Sequence, residues 1–374
     1  MVTDIFTKDN QQLFATPVVQ QSAFWSTVKS KMGDATLAVD FTVSQSDLSF
    51  DGKTLQHIES DILIVLQYVD KHHCLAYIPY GPEIEPEEDL QALFLEELAE
   101  NLRSVLPSAC FAIRFDLNWE SHWAKDDNWY DNDGFWKGTP EIASQEMRFN
   151  FNTNNWNLKK SLHNILPSNT IYVDLNPELS DILQRMKPKT RYNIRLSHRK
   201  GVNVSVAGLE NLDIWYDLYK ETCVRNGVFL HDIAYFRTLF SAQLINTIAD
   251  TQLFLLVAEY EGKPLAAMFL VTSSHRASYL YGASSSYNRH AMATYALQWK
   301  AIEIAKDKQC TEYDMFGVSP NPDPSHPMYG LYKFKSGFGG EMFHTMGCWD
   351  YPLDESMYTC FKAVEMQSQG YHVG

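Results

Sequence analysis

The sequence predicts a mixed α/β fold divided into two domains, and three observations carry that prediction. The chain has 374 residues, beyond the roughly 250 to 300 at which one hydrophobic core stops growing. Its apolar content of 45% can furnish two cores. Windows of alternating or briefly continuous apolar residues, which mark strands, are interleaved with windows at helical spacing.

In the first half, residues 37–43, 61–69, 75–79 and 110–115 read as strands. Before the last of these, residues 87–106 place Leu90, Leu93, Phe94, Leu98, Leu102 and Val105 at helical spacing, with glutamates on the opposite face. Residues 118–157 are rich in Trp, Asn and Asp with poor periodicity, and a long irregular excursion is expected there. A second unit begins near Ser168: a strand over 171–175, helical residues 177–200 broken near Pro188, and a strand over 202–206 after Gly201. Helices over 212–226 and 233–245 precede strands over 252–260, 265–273 and 277–283, with Glu261, Gly262 and Lys263 turning the first hairpin. A helix over 291–308 buries Ala296, Leu297, Ile302, Ile304 and Ala305, and a strand over 312–315 follows.

Composition narrows the function classes. No stretch approaches the roughly 20 apolar residues of a bilayer span, and residues 1–10 lack the regions of a signal peptide, so a cytoplasmic location is expected. The six cysteines include no CxxC or CxxxH spacing, which argues against a disulfide framework and a zinc site and for reduced, mostly buried thiols. The formal charge of -15 opposes nucleic acid overall, yet Arg185, Lys187, Lys189, Arg191, Arg195, Arg199 and Lys200 form a local basic stretch able to meet phosphates.

Strand, two helices, three meandering strands, long helix and strand is the order of an acetyltransferase-like (GNAT) fold, and the first half shows part of it. Such a fold cradles coenzyme A on a glycine-rich turn ahead of the long helix, where small residues let backbone N–H groups reach the pyrophosphate. Here that turn reads Tyr287, Asn288, Arg289, His290, Ala291, Met292 and Ala293, without glycine. A different acyl donor is therefore expected.

Several stretches together resemble the Fem family of peptidyltransferases: KPKTRYNIRLSHRKGVNV (187–204), YLYGASS (279–285), LQWKAIEIAK (297–306), YDMFGV (313–318) and GLYKFKSGFGGE (330–341), with QSAFWSTVK (21–29) and YIPYGP (77–82) nearer the N-terminus. The resemblance implies two GNAT-like domains, and residues 202–283 leave no room for the long helical arm some members insert in the second. The first, residues 1–167 joined by 345–374, is expected to bind the acceptor; the second, 168–344, is expected to face aminoacyl-tRNA and contribute Lys335. It also implies transfer of an amino acid from aminoacyl-tRNA to the stem peptide of a peptidoglycan precursor, either UDP-MurNAc-pentapeptide or its lipid-linked form. The lipid-linked form leaves room for peripheral membrane contact. No cofactor or metal is implied.

Lys335, after Phe334 in an FK pair, matches the lysine at the family's reaction centre. Gly330, Gly337, Gly339 and Gly340 around it suggest close backbone approach. A fixed cation there stabilises the oxyanion that grows when an amine attacks an ester. Asp116, ending the strand AIRFD, matches an aspartate near the acceptor amine, with a strand-end cap as the alternative. Lys29 matches an acceptor-contacting lysine, with a solvated helix position as the alternative. His231 and Tyr235 fall where the family has RxxxY, so histidine replaces an arginine that could grip phosphate in two places. Of Tyr279 and Tyr281, expected on opposite faces, family register favours Tyr281 for substrate, together with Phe334. Arg191, Arg195 and Arg199 lie four apart, on one helical face suited to an RNA backbone, with a solvated helix as the alternative. Two other readings stay open: an N-acyltransferase using another donor, and a binding module of the same fold.

Overall fold

The computed structural model describes residues 1–49, 56–227, 230–245 and 251–367. Its described residues divide into two units, the first built from 1–14, 20–168 and 344–367, the second from 15–19 and 169–343. The first unit contains β1 (Val2–Lys8), α1 (Ala23–Lys31), β2 (Ala35–Ser44), β3 (His57–Tyr68), β4 (Cys74–Ile78), α2 (Gln91–Leu102), β5 (Cys110–Glu120), α3 (Ile142–Phe149) and β6 (Lys159–Lys160). The second begins with β7 (Asn169–Asp174), α4 (Leu179–Arg185), α5 (Pro188–Lys200), β8 (Asn203–Ala207), α6 (Leu212–Asn226) and α7 (Ile233–Ile245). It continues through β9 (Thr251–Tyr260), β10 (Lys263–Ser273), β11 (Arg276–Ser284), α8 (Ala293–Asp307), β12 (Glu312–Asp314) and α9 (Tyr329–Lys335). The strand β13 (Glu341–Pro352) carries the chain back to the first unit, where α10 (Glu355–Glu365) follows.

The strands run β1-β2-β3-β4-β5-β13 in the first unit and β7-β12-β11-β10-β9-β8 in the second. Each unit contains the same core path: antiparallel strands lead into a helix that returns the chain to a parallel neighbour. In the first this is β2-β3-β4-α2-β5, in the second β9-β10-β11-α8-β12. A parallel pair cannot be closed by a tight turn, so the helical crossover is obligatory. Among the described residues there is no long helical arm; α6 and α8 each span 15 residues.

Each crossover helix presents its apolar stripe to its own sheet. Phe94, Leu95, Leu98 and Leu102 of α2 are fully buried with Phe41, Ile62, Ile64 and Ile113. Leu297, Ala301, Ile302 and Ala305 of α8 are buried with Leu256, Met268 and Leu270. Burying each large side chain contributes about 1.5–3 kcal/mol before entropy costs.

Local expectations needed revision. Glu96 does not lie on a solvated face of α2: it is 2% exposed and accepts the N–H groups of Asn154 and Asn155, both at 2.6 Å. Residues 118–157 are no loose excursion, because β5 continues to Glu120, α3 forms, and Trp119 and Trp136 are buried. Cys74 and Cys110, distant in sequence, meet across β4 and β5 with sulfurs 3.1 Å apart.

Candidate active site

Lys335 closes α9 and is 4% exposed. Its Nζ donates to the carbonyls of Phe316 at 2.9 Å and Gly317 at 2.8 Å, and it sits 5.0 Å from the centre of the Tyr279 ring. Burial pushes its amine down to about 7, against the opposing charge of Asp314. An ammonium has three N–H donors and two are engaged by these carbonyls. As a cation it can offer the third to a developing oxyanion; as a neutral amine it keeps a lone pair able to take a proton.

The segment after Lys335 is fixed by backbone that only glycine permits. Gly339 has φ 79°, and a Cβ on it would stand 2.8 Å from the Arg185 carbonyl oxygen; one on Gly340 would stand 2.5 Å from that of Tyr172. A Cβ on Gly337 would meet the Thr190 hydroxyl. Gly330 departs from expectation: nothing lies within 4 Å of its Cβ direction. Phe334 packs its ring on Tyr295 of α8 at 5.1 Å and on Phe338 at 5.3 Å. These contacts hold α9 against α8.

Tyr279 and Tyr281 face opposite sides of the sheet for a reason the sequence does not display. Residues two apart on a regular strand share a face. Here the register with β10 shifts, Tyr281 opposing Phe269 and Tyr279 opposing Leu270, so Leu280 is a bulge. Tyr279 therefore joins the α8 side, beside Lys335. Tyr281 turns toward α7, where its hydroxyl lies 2.6 Å from that of Tyr235. His231 stacks on Tyr235 with ring centres 4.6 Å apart, so these three expected substrate-side residues form one cluster. It is built on Phe236 and Phe269, which stack at 5.5 Å.

Pro188 at the first turn of α5 starts that helix cleanly after α4. Along it, Arg191, Arg195 and Arg199 line, with Pro188 and Tyr192, a surface depression of about 380 Å³. Arg195 and Arg199 are exposed. Arg191 is tied down by donation to the carbonyls of Gln184 and Met186.

In the first unit, Lys29 lies in the last turn of α1 and pairs with Asp34 at 3.3 Å. Asp116 is not at a strand end, since β5 runs four residues beyond it, and it is fully buried. Its Oδ2 accepts the Tyr77 hydroxyl at 2.8 Å and the Leu166 N–H at 3.0 Å. Burial holds its carboxyl above the usual range. The buried amine of Lys160, whose charge acts against that rise, donates to the Met346 and Cys348 carbonyls. Among the described residues no cluster of three His, Cys, Asp or Glu side chains could hold a metal ion, and no helix is long and apolar enough to cross a membrane.

Two units with this core path define a tandem GNAT-like fold. A crystal structure of FemX superposes with a TM-score of 0.71 over 96% of this chain and 100% of its own, at 17% identity. A tandem GNAT protein from the clavulanic acid biosynthesis pathway superposes with a TM-score of 0.50 over 94% of this chain and 98% of its own, at 10% identity. The chain belongs to the FemAB family, whose model matches residues 19–243 and 242–366. The lipid II:glycine glycyltransferase of Staphylococcus epidermidis is 23% identical over 260 residues, 54% of this chain and 62% of that protein. Its Staphylococcus aureus counterpart is 22% identical over 265 residues, with the same coverage. The match thus spans less than two thirds of these relatives' length.

Proposed function

We propose that the chain transfers an amino acid from aminoacyl-tRNA to the side-chain amine of a peptidoglycan-precursor stem peptide. The observation that carries this reading is the buried Lys335 amine, oriented by two backbone carbonyls. The acceptor nitrogen attacks the ester carbonyl carbon, a C–N bond forms and the carbonyl electron pair moves onto oxygen. Lys335 as the ammonium meets that charge. Collapse breaks the bond to the ribose oxygen, which takes up the proton the amine gives off, and an amide remains.

The relatives' names, lipid II:glycine glycyltransferase, support an amino acid as the transferred group and a lipid-linked acceptor. Such an acceptor suits a chain working in the cytoplasm with peripheral contact at the membrane face. In this reading the first unit serves the acceptor through Lys29, and the second serves the donor, with Arg195 and Arg199 meeting RNA phosphates. Tyr235, Tyr281, His231 and Phe334 line the substrate side. Asp116 belongs to the acceptor side as a buried carboxyl whose Oδ2 is held by Tyr77 and Leu166. The glycine-free turn ahead of α8, with Asn288 at φ 46° and Met292 at φ 60°, favours this donor over coenzyme A.

The test is incubation with a pool of charged tRNAs and, in separate reactions, acetyl-coenzyme A, using nucleotide-linked and lipid-linked pentapeptide acceptors. A mass gain of one amino acid residue supports the reading. A gain of an acetyl group alone, or coenzyme A binding without tRNA binding, replaces it with the N-acyltransferase reading.

A further inference from the structure

The carbonyls that orient Lys335 are themselves set by one side chain. Phe316 has φ 59°, the left-handed region that a bulky residue enters only when its surroundings hold it there. What holds it is Asp314, the last residue of β12. Asp314 Oδ1 accepts the Phe316 N–H at 2.8 Å, closing an Asx-type turn, and the Thr170 hydroxyl of β7 donates to the same oxygen. The turn aims the next two carbonyls, of Phe316 and Gly317, at Lys335 Nζ. Asp314 and Thr170 are each 6% exposed. This places a buried carboxylate close enough for its charge to act on the amine, with Oδ1 shared between the loop it fixes and the Thr170 hydroxyl of β7.

We propose that Asp314, steadied by Thr170, is the positioning residue of the Lys335 site, setting both the direction of the amine and the negative charge that acts on it. The proposal rests on the transfer reading for its kinetic consequence but not for its structural one. Charged and titratable groups around the pair are few: Arg276 of β11, itself bonded to Glu312 at 2.8 Å, with Tyr313 beside Asp314 and the Tyr279 ring over Lys335. Asp314 raises the proton affinity of Lys335 against the effect of burial. Asp314→Asn keeps Oδ1 as acceptor for both hydrogen bonds and removes the charge, while Asp314→Ala removes both.

The test uses the full chain, with Lys335 observed through 15N-labelled lysine side chains and assigned by its loss in Lys335→Met, alongside steady-state transfer. In Asp314→Asn the titration midpoint of Lys335 moves to lower pH, and the limb of the rate profile that falls with rising pH moves with it, while kcat below the midpoint stays near wild type. In Asp314→Ala kcat falls by about 10- to 100-fold, with KM for both substrates within about threefold. Thr170→Val produces a smaller loss in the same sense, and with Asp314→Asn it decides the matter should Asp314→Ala not fold. Folded Asp314 variants with an unmoved Lys335 midpoint and wild-type kcat overturn the proposal. Should the wild-type chain transfer nothing, the transfer reading fails separately. The Lys335 midpoint in Asp314→Asn then decides alone: moved, it supports the positioning role; unmoved, it removes it.

Discussion

Replacing Lys335 by methionine has a consequence for stability that does not depend on which substrate the chain uses. Burial brings the amine from its ordinary 10.5 to about 7 in the folded protein. Above pH 7 the folded chain therefore carries the neutral amine while the unfolded chain still carries the ammonium, up to about pH 10. The unfolded state binds more protons across that window, so stability rises with pH, at about 1.4 kcal/mol per pH unit for one group. From pH 7 to pH 10 wild type should gain about 4 kcal/mol relative to Lys335→Met, which lacks the group. Below pH 7 both states hold the proton and the difference between the two proteins is constant. The assay is urea unfolding of both proteins at half-unit steps from pH 6 to pH 10, followed by circular dichroism. Parallel stability curves across the window would refute the claim that burial lowers the proton affinity of Lys335, and with it the idea that the site draws on a cation kept at the edge of deprotonation.

Other expected outcomes follow from the same geometry. Arg195→Ala and Arg199→Ala each weaken aminoacyl-tRNA binding and lower the slope of log affinity against log salt by about 0.7 to 0.9; an unchanged slope removes that helix from the RNA contact. Tyr235→Phe breaks the hydroxyl pair with Tyr281 and lowers stability by about 1 kcal/mol, with KM rising more than kcat falls. A fall in kcat at constant KM would move Tyr235 from binding to chemistry. Gly339→Ala meets the Arg185 carbonyl in a left-handed conformation and costs about 1–3 kcal/mol, with turnover dropping because the segment carrying Lys335 shifts. Wild-type melting and turnover in that variant would show the glycine to be dispensable.

The repeating core path was legible wherever apolar period and turn chemistry agreed. Helices α6 and α7 and the β9-β10 hairpin lie where spacing put them, α6 stopping at Gly227 and the hairpin turning at Glu261 and Gly262. The readings failed where polar residues are buried. In β13, His344 stacks on Trp136 at 4.0 Å and Asp350 takes two hydrogen bonds from Arg114, at 2.6 and 2.8 Å, so its sequence lacks the alternation of a half-solvated strand. Glu96 was assigned to solvent by the same rule and is instead consumed by loop N–H groups. At the candidate site, the residue types were visible but their supports were not. The bulge at Leu280 sends Tyr279 to Lys335, and strict alternation cannot reveal it. Asp314 stood inside a recognisable motif without a role until the left-handed Phe316 gave it one.

Whether Lys335 serves aminoacyl transfer is read out by single turnover. Wild type and Lys335→Met, each shown to be folded, are mixed with labelled aminoacyl-tRNA and a pentapeptide precursor, and amide formation is followed in time. Wild type should give amide product and the variant a rate lower by about 100-fold or more, at unchanged tRNA affinity. Equal rates in the two proteins would contradict that role for Lys335.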